Sequence, residues 1–184
     1  MNHAVISTPR SGSRTLAHTL ARTQNTDIGF IHFAESVDSK CLSYEELVSK
    51  EWVLHGHWHT LHKLSADHQS YIRENCKIHH INRNHEHRFV SAMLVMHTGN
   101  IDFSRDQIPE YLPENLVYTY IDRMKPSYDN FVDWTIDTVH DFDVIYNNFS
   151  STNFQLNTSS IKNYDDLSEL YNGLIKEEKY KWTF

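Results

Sequence analysis

The sequence lacks most of the features that assign a chain quickly. No stretch approaches the roughly 18 consecutive apolar residues of a membrane-spanning helix. No apolar leader precedes the first strand pattern, which begins at Ala4, so a protein of the cytoplasm with no membrane span is expected. There are only two cysteines, Cys41 and Cys76, with neither metal nor redox spacing; this excludes a disulfide framework and fits reduced thiols. Positive charge is in deficit, with 17 Lys and Arg against 24 Asp and Glu and a net charge of -7. A sequence-independent nucleic-acid binder needs a basic surface, so no nucleic-acid partner is expected, although a local anion site remains open. Internal repeats and low-complexity linkers are also absent. The 184 residues, 39% hydrophobic and 22% charged, therefore read as one soluble domain with a core large enough to need no staples.

What is present is an alternation of short apolar runs and helical patterns. Ala4 to Ser7 reads as a buried strand, and Arg14 to Arg22 as a helix with Leu16 and Leu20 on one face. Gly29 to Phe33 and Trp52 to His55 are strand-like. Tyr44 to Lys50 reads as a helix with Ser43 as N-cap and Glu46 completing a capping box. Lys63 to Asn75 reads as a helix, Lys77 to Ile81 as a strand, and His85 to His97 as a helix carrying Phe89, Met93 and Met96. The order implies an α/β fold, a three-layer sandwich with a mainly parallel central sheet flanked by helices. Beyond Gly99 the pattern changes. Pro109 to Met124 and Pro126 to His140 look helical, each introduced by proline. Val144 to Tyr146 and Phe154 to Leu156 are candidate short strands, Asp165 to Lys176 a helix, and "KEEKYKWTF" a tail or lid. Trp134, Tyr128 and Phe131 are expected in the core.

Between the first strand and the first helix stands "TPRSGSRTL", residues 8 to 16. A strand, a glycine turn and a helix make an anion site, because the unpaired N–H groups of the first helical turn and the helix dipole both favour negative charge. Gly12 permits close backbone approach, Ser11, Ser13 and Thr15 add hydroxyls, and Arg10 adds a planar fork suited to phosphate or sulfate oxygens. The nucleotide-hydrolase P-loop fits poorly, since Ser13 follows Gly12 where lysine belongs, and the dinucleotide motif fails because Gly12 is the loop's only glycine. The plainer alternative is a serine-rich turn that caps the helix.

The loop resembles the 5′-phosphosulfate-binding loop of sulfotransferases, which use 3′-phosphoadenosine 5′-phosphosulfate (PAPS) and release 3′-phosphoadenosine 5′-phosphate (PAP). A second stretch carries the same resemblance. "RNHEHRFVS" places Arg83, Asn84, Arg88 and Ser91 at the spacing of the family's 3′-phosphate motif, with His85 where proline is usual. The resemblance implies a P-loop-like sulfotransferase fold. It implies cofactor contacts from Arg10, Ser11, Gly12, Ser13, Arg14 and Thr15 at the 5′ end and from Arg83 and Ser91 at the 3′ phosphate, with Arg88 supporting.

Histidine is over-supplied, with 14 residues, many of them between His55 and His97. In "LHGHWH" three alternate, and in extended chain His55, His57 and His59 would share a face. Two chemistries compete: a transition-metal site, or a general base of near-neutral pKa for a hydroxyl nucleophile. The element is similar to the His-Gly-His element of uronyl 2-O-sulfotransferases, which implies His57 as base, His55 as the secondary candidate, Arg10 as the group stabilising transferred charge, and no metal. Residues 1–99 are then expected to form the cofactor-binding and catalytic core, and residues 100–184 a helical acceptor-side part. The expected function is transfer of a sulfuryl group from PAPS to a hydroxyl-bearing acceptor, a carbohydrate or small metabolite. The alternatives are a nucleotide-dependent phosphotransferase, a histidine-site metalloenzyme, and a binding domain without catalysis.

Overall fold

The computed structural model describes residues 2–31, 41–99, 108–131, 133–144 and 160–176. Its centre is a five-stranded sheet made of β1 (Asn2–Ser7), β2 (Asp27–Phe30), β3 (Trp52–His57), β4 (Cys76–Asn82) and β5 (Thr138–Asp141), in the order β2-β3-β1-β4-β5. Every pairing is parallel, as the strand–helix alternation implies. The helices are α1 (Ser13–Gln24), α2 (Tyr44–Ser49), α3 (Trp58–Leu61), α4 (Ala66–Asn75), α5 (His85–Thr98), α6 (Asn115–Phe131) and α7 (Tyr164–Lys176).

Period-two alternation divides the strands between two cores. Val5, Val53 and Ile81 face α1 and meet Leu16, Ala17 and Ala21. Ala4, Ile6, Leu54 and Ile78 face the other way and meet Leu47 of α2, Leu61 of α3 and Ile72 of α4. Helices thus cover both faces of the sheet, which makes three layers. Trp58, fully buried, anchors the second core; Phe131 and Trp134 pack edge-on against its ring, at 5.2 and 6.1 Å between centroids. Trp134 is a core residue, as expected, and Phe131 is half-buried against the same core; the side chain of Tyr128 lies outside the described ones. At α2 the capping box is realised in full: Ser43 Oγ accepts from the Glu46 N–H, and the Glu46 carboxylate accepts from the Ser43 N–H.

The chain divides into two compact units. The first comprises Met1–Arg83 with Pro126–Asn153, and the second Asn84–Lys125 with Phe154–Phe184. The first holds the sheet and α1 to α4. The second is helical, and Phe89 of α5 stacks on Tyr171 of α7 at 4.2 Å between centroids, with Tyr120 of α6 beside both. The change of pattern at Gly99 coincides with none of the three boundaries between them.

Several expectations from the sequence need correction. The two proline-led helices are one helix, α6, which begins at Asn115 and runs through Pro126. Residues Thr138 to Asp141 form β5 instead of the end of a helix. Tertiary pairing decides this. β5 completes the sheet edge along β4, the Asp137 carboxylate accepts from the Ile78 N–H at 2.7 Å, and the Asp137 N–H donates to the Ile78 carbonyl at 3.0 Å. The β-branched pair Thr138 and Val139 suits a strand. Val144, assigned to a strand, stands in a helical turn after β5. Tyr146, Phe154 to Leu156 and all of the tail after Lys176 lie outside the described residues, as does the end of the expected strand at Phe33.

Candidate anion site at the strand ends

From β1 the chain runs outward to β2, returns to β3, and then crosses to β4 on the far side of β1. The boundary between β1 and β4 is therefore where the winding reverses. In open parallel sheets that reversal, beyond the carboxyl ends of the strands, is where ligands bind. The loop after β1, His57 at the end of β3 and Arg83 just past β4 all stand at these carboxyl ends.

The loop is built from buried polar contacts. Ser7 and Ser11 share a short hydroxyl–hydroxyl hydrogen bond, and Ser11 Oγ donates to the Thr8 carbonyl at 2.7 Å. Arg10 takes a left-handed backbone, φ 66°, which an L residue adopts at a cost of about 1–2 kcal/mol. Gly12 is also left-handed, φ 81°, and is the N-cap of α1. The capping residue is thus glycine and not a serine, so among the described residues the turn is not the serine cap that was the plainer alternative. Ser13 Oγ turns inward instead, to His55 Nε2 at 2.9 Å. The Ser11 and Ser13 hydroxyls are thus engaged within the loop itself. Ser11 and Ser13 are buried and hold the loop's shape, while Arg14 is exposed and Thr15 half-buried. What the loop presents to an anion is backbone N–H and arginine, with the α1 dipole behind them.

Arg83 joins the loop from across the sheet. Its Nη1 donates to the Arg10 carbonyl, a separation of 73 positions along the chain. Its guanidinium lies 4.1 Å from the centre of the Phe142 ring. The same ring rests against Gly12, where a Cβ would meet it at 2.7 Å. Phe142 is the residue that sequence reasoning missed. A single phenylalanine after an unforeseen strand gives no local signal.

The histidine element divides three ways. His55 is buried, and its ring is engaged with Ser13. His57 is half-buried, and its Nδ1 lies 3.2 Å from the Ser7 carbonyl oxygen. A carbonyl only accepts, so Nδ1 carries the hydrogen and the neutral ring keeps its lone pair on Nε2, the tautomer a general base needs. His59 does not continue the strand. β3 ends at His57, the Thr60 hydroxyl bonds the His57 carbonyl at 2.9 Å, and Trp58 turns into the core, so His59 falls on α3. Its ring stacks on His57 at 5.7 Å and 16°. Parallel rings present their nitrogens side by side instead of toward one point. Among the described residues, no group of three His, Cys, Asp or Glu side chains is arranged to hold a metal ion.

Arg88 and Ser91 are both buried on α5 and belong to the second unit, whereas Arg83 closes the first. The structure thus brings together Arg10, Gly12, Ser13, His55, His57 and Arg83. Among the described residues no helix is long and apolar enough to cross a membrane. A scan against protein-family models and a search of curated proteins each returned no match.

Proposed function

We propose that this chain is a PAPS-dependent sulfotransferase of the P-loop-like fold, acting on a hydroxyl-bearing acceptor. The observation that carries the reading is the meeting of three strand ends: the glycine-capped loop after β1, Arg83 from β4 hydrogen-bonded to that loop, and His57 from β3 held to Ser7 in the base tautomer. A second arginine from a distant strand suits a ligand with two anionic ends, which fits a donor carrying both a 5′ phosphosulfate and a 3′ phosphate.

When bound, PAPS supplies the sulfuryl group and leaves as PAP. The roles of the chain follow from its contacts. The first-turn N–H groups of α1 and the Arg10 guanidinium hold the 5′ end and stabilise the charge that develops there; one such preorganised donor is worth about 10²–10³ in rate. Arg83 holds the 3′ phosphate. Ser91 is assigned to that phosphate by the motif spacing alone. His57 Nε2 takes the acceptor's hydroxyl proton as the new O–S bond forms, and the imidazolium gives it up to solvent after PAP leaves. His55, fixed to Ser13, positions the loop and does not serve as the base. The acceptor class proposed is a carbohydrate or small metabolite.

The test is thermal stabilisation by PAP, measured beside AMP and magnesium-ATP. A ligand at 100 times its Kd adds about 2.7 kcal/mol of stability. Selective stabilisation by PAP supports the reading. No shift, or a preference for magnesium-ATP, refutes it, and the latter outcome transfers the site to phosphoryl chemistry.

A further inference from the structure

Away from the strand ends, three more histidines meet in the first unit. His3 of β1, His79 of β4 and His140 of β5 form a ladder across three adjacent strands. His3 Nδ1 lies 2.7 Å from His79 Nε2, and His79 Nδ1 lies 2.9 Å from His140 Nε2. The ring centroids stand 5.0 and 5.1 Å apart and the planes differ by 22° and 28°, so the rings meet edge to edge with their nitrogens facing. His79 is the register partner of Val5, and His140 of Ile81. Both partners belong to the α1-side core, so the rungs lie on that face of the sheet. His79 is buried, and the two end rings are half-buried. A metal does not fit between nitrogens this close: at zinc–nitrogen bonds of about 2.0–2.1 Å, two ligand nitrogens of a tetrahedral ion stand well over 3 Å apart.

We propose that the His3–His79–His140 ladder is an acid-sensitive latch that holds one excess proton and opens on the second. The argument is a count of hydrogens. Each of the two N···N contacts needs one hydrogen, no more and no fewer. Three neutral rings carry three hydrogens: two fill the contacts and one sits on an outer nitrogen, His3 Nε2 or His140 Nδ1. A fourth hydrogen fills the other outer nitrogen, and both contacts survive. A fifth has only the contacts left, so two N–H groups must face each other at under 3 Å and one contact breaks. The unfolded chain has no such limit, and each ring takes its proton near the ordinary histidine value.

The charges around the ladder push the same way. Burial and the other two rings hold His79 down to about 4, with Lys77 adding to this and Asp137 opposing it. Burial, Lys77 and the amino terminus lower His3 against the pull of Glu51, and burial and Lys77 lower His140. Folded values lie below unfolded ones, so the unfolded state binds more protons once the pH falls below about 6.5. Stability is complete above that pH and is lost as the pH falls toward 4. At full effect the unfolded chain holds three protons on these rings and the latched chain one. That difference of two makes the unfolding constant climb about 100-fold per pH unit.

Urea unfolding of the full chain from pH 7.5 to 4.5 reads this directly. The other eleven histidines contribute equally to all variants, so the slopes are compared. His140→Phe leaves one contact, and its unfolding constant should climb about tenfold less per pH unit than the wild type's. His79→Phe leaves none, and should lose about 100-fold per unit. Should His79→Phe fail to fold, His3→Phe replaces it with an expected loss of tenfold, matching His140→Phe. Slopes equal to wild type in the single-end variants overturn the latch. This outcome is independent of whether PAP binds.

Discussion

Two sets of histidines occupy the α1-side face of one sheet and make opposite use of their nitrogens. At the carboxyl ends of the strands, His55 gives Nε2 to a serine hydroxyl and His57 gives Nδ1 to a carbonyl. In the ladder, His79 gives both nitrogens to other imidazoles. A carbonyl partner fixes a tautomer, with the lone pair on the second nitrogen. An imidazole partner fixes only the number of hydrogens between the rings. The residue type is the same, and the partner decides whether the ring is suited to moving a proton or to counting protons.

The comparison breaks most sharply at His57. His57→Ala removes the proposed base, so kcat should fall by about 10²–10⁴ while stabilisation by PAP persists. His55→Ala should do the reverse: it frees Ser13 inside the loop, so it weakens PAP with a smaller effect on kcat at saturating donor. Steady-state kinetics with PAPS beside PAP melting shifts separate the two. Identical profiles would show that the buried and half-buried histidines do not differ in role.

Arg83→Ala comes next. A hydrogen bond to a charged group is worth about 1.5–3 kcal/mol, so PAP should bind roughly 10–150-fold more weakly. AMP, which lacks the 3′ phosphate, should be nearly unaffected. Equal losses for both ligands would place Arg83 with the loop's scaffold, through its bond to the Arg10 carbonyl, and not with the phosphate.

The strand–turn–helix at the start of the chain was legible because its signals are local. Gly12 needs φ 81° at the N-cap, and the alternation of Val5 and Ser7 with Ala4 and Ile6 sets the faces of β1. The Ser43–Glu46 box was legible for the same reason. What the sequence concealed is non-local. The ladder joins positions 76 and 61 residues apart, and His140 sits in a segment whose proline and spacing suggest helix until β4 is there to pair with it. Phe142 covers Gly12 only because β5 carries it to the sheet. Ser11 and Ser13 read as ligand donors, since nothing in the spacing shows that their hydroxyls turn inward. The resemblance to sulfotransferases rests on two short motifs and the His-Gly-His element.

Gly12 and Gly99 offer a smaller but cleaner contrast. Both have left-handed backbone, φ 81° and 72°, but a Cβ at Gly12 would stand 2.7 Å from the Phe142 ring, whereas at Gly99 it would meet nothing within 4 Å among the described residues. Gly99→Ala should cost only the backbone term of about 1–2 kcal/mol. Gly12→Ala should cost that and whatever the displaced ring adds. In the Phe142→Ala background, the two glycine substitutions should cost the same. Urea unfolding at pH 7.5, where the ladder is neutral, measures all five variants without interference from the latch.

The smallest effect tests whether opening the ladder loosens the start of β4, where Cys76 packs on the opposite face of the sheet. Cys76 opens β4 as the register partner of Asn2, one residue from the position paired with His3. Burial pushes its thiol up to about 12. The nucleophile is the thiolate, so at pH 7.5 Cys76 is held almost wholly as the unreactive thiol, and the group is buried as well. Cys41 is half-buried; burial and Glu46 raise its thiol too, but the side chain is accessible. One equivalent of an aromatic disulfide reagent should therefore react with Cys41 alone in the native protein, and Cys76 should follow only after urea. If the latch opens in acid, a pulse at pH 4.5 with a pyridyl disulfide, which reacts with thiols at low pH, should label Cys76 faster in the wild type than in His79→Phe. Equal labelling of the two would mean that the ladder opens without loosening the start of β4, confining the latch to its own three rings.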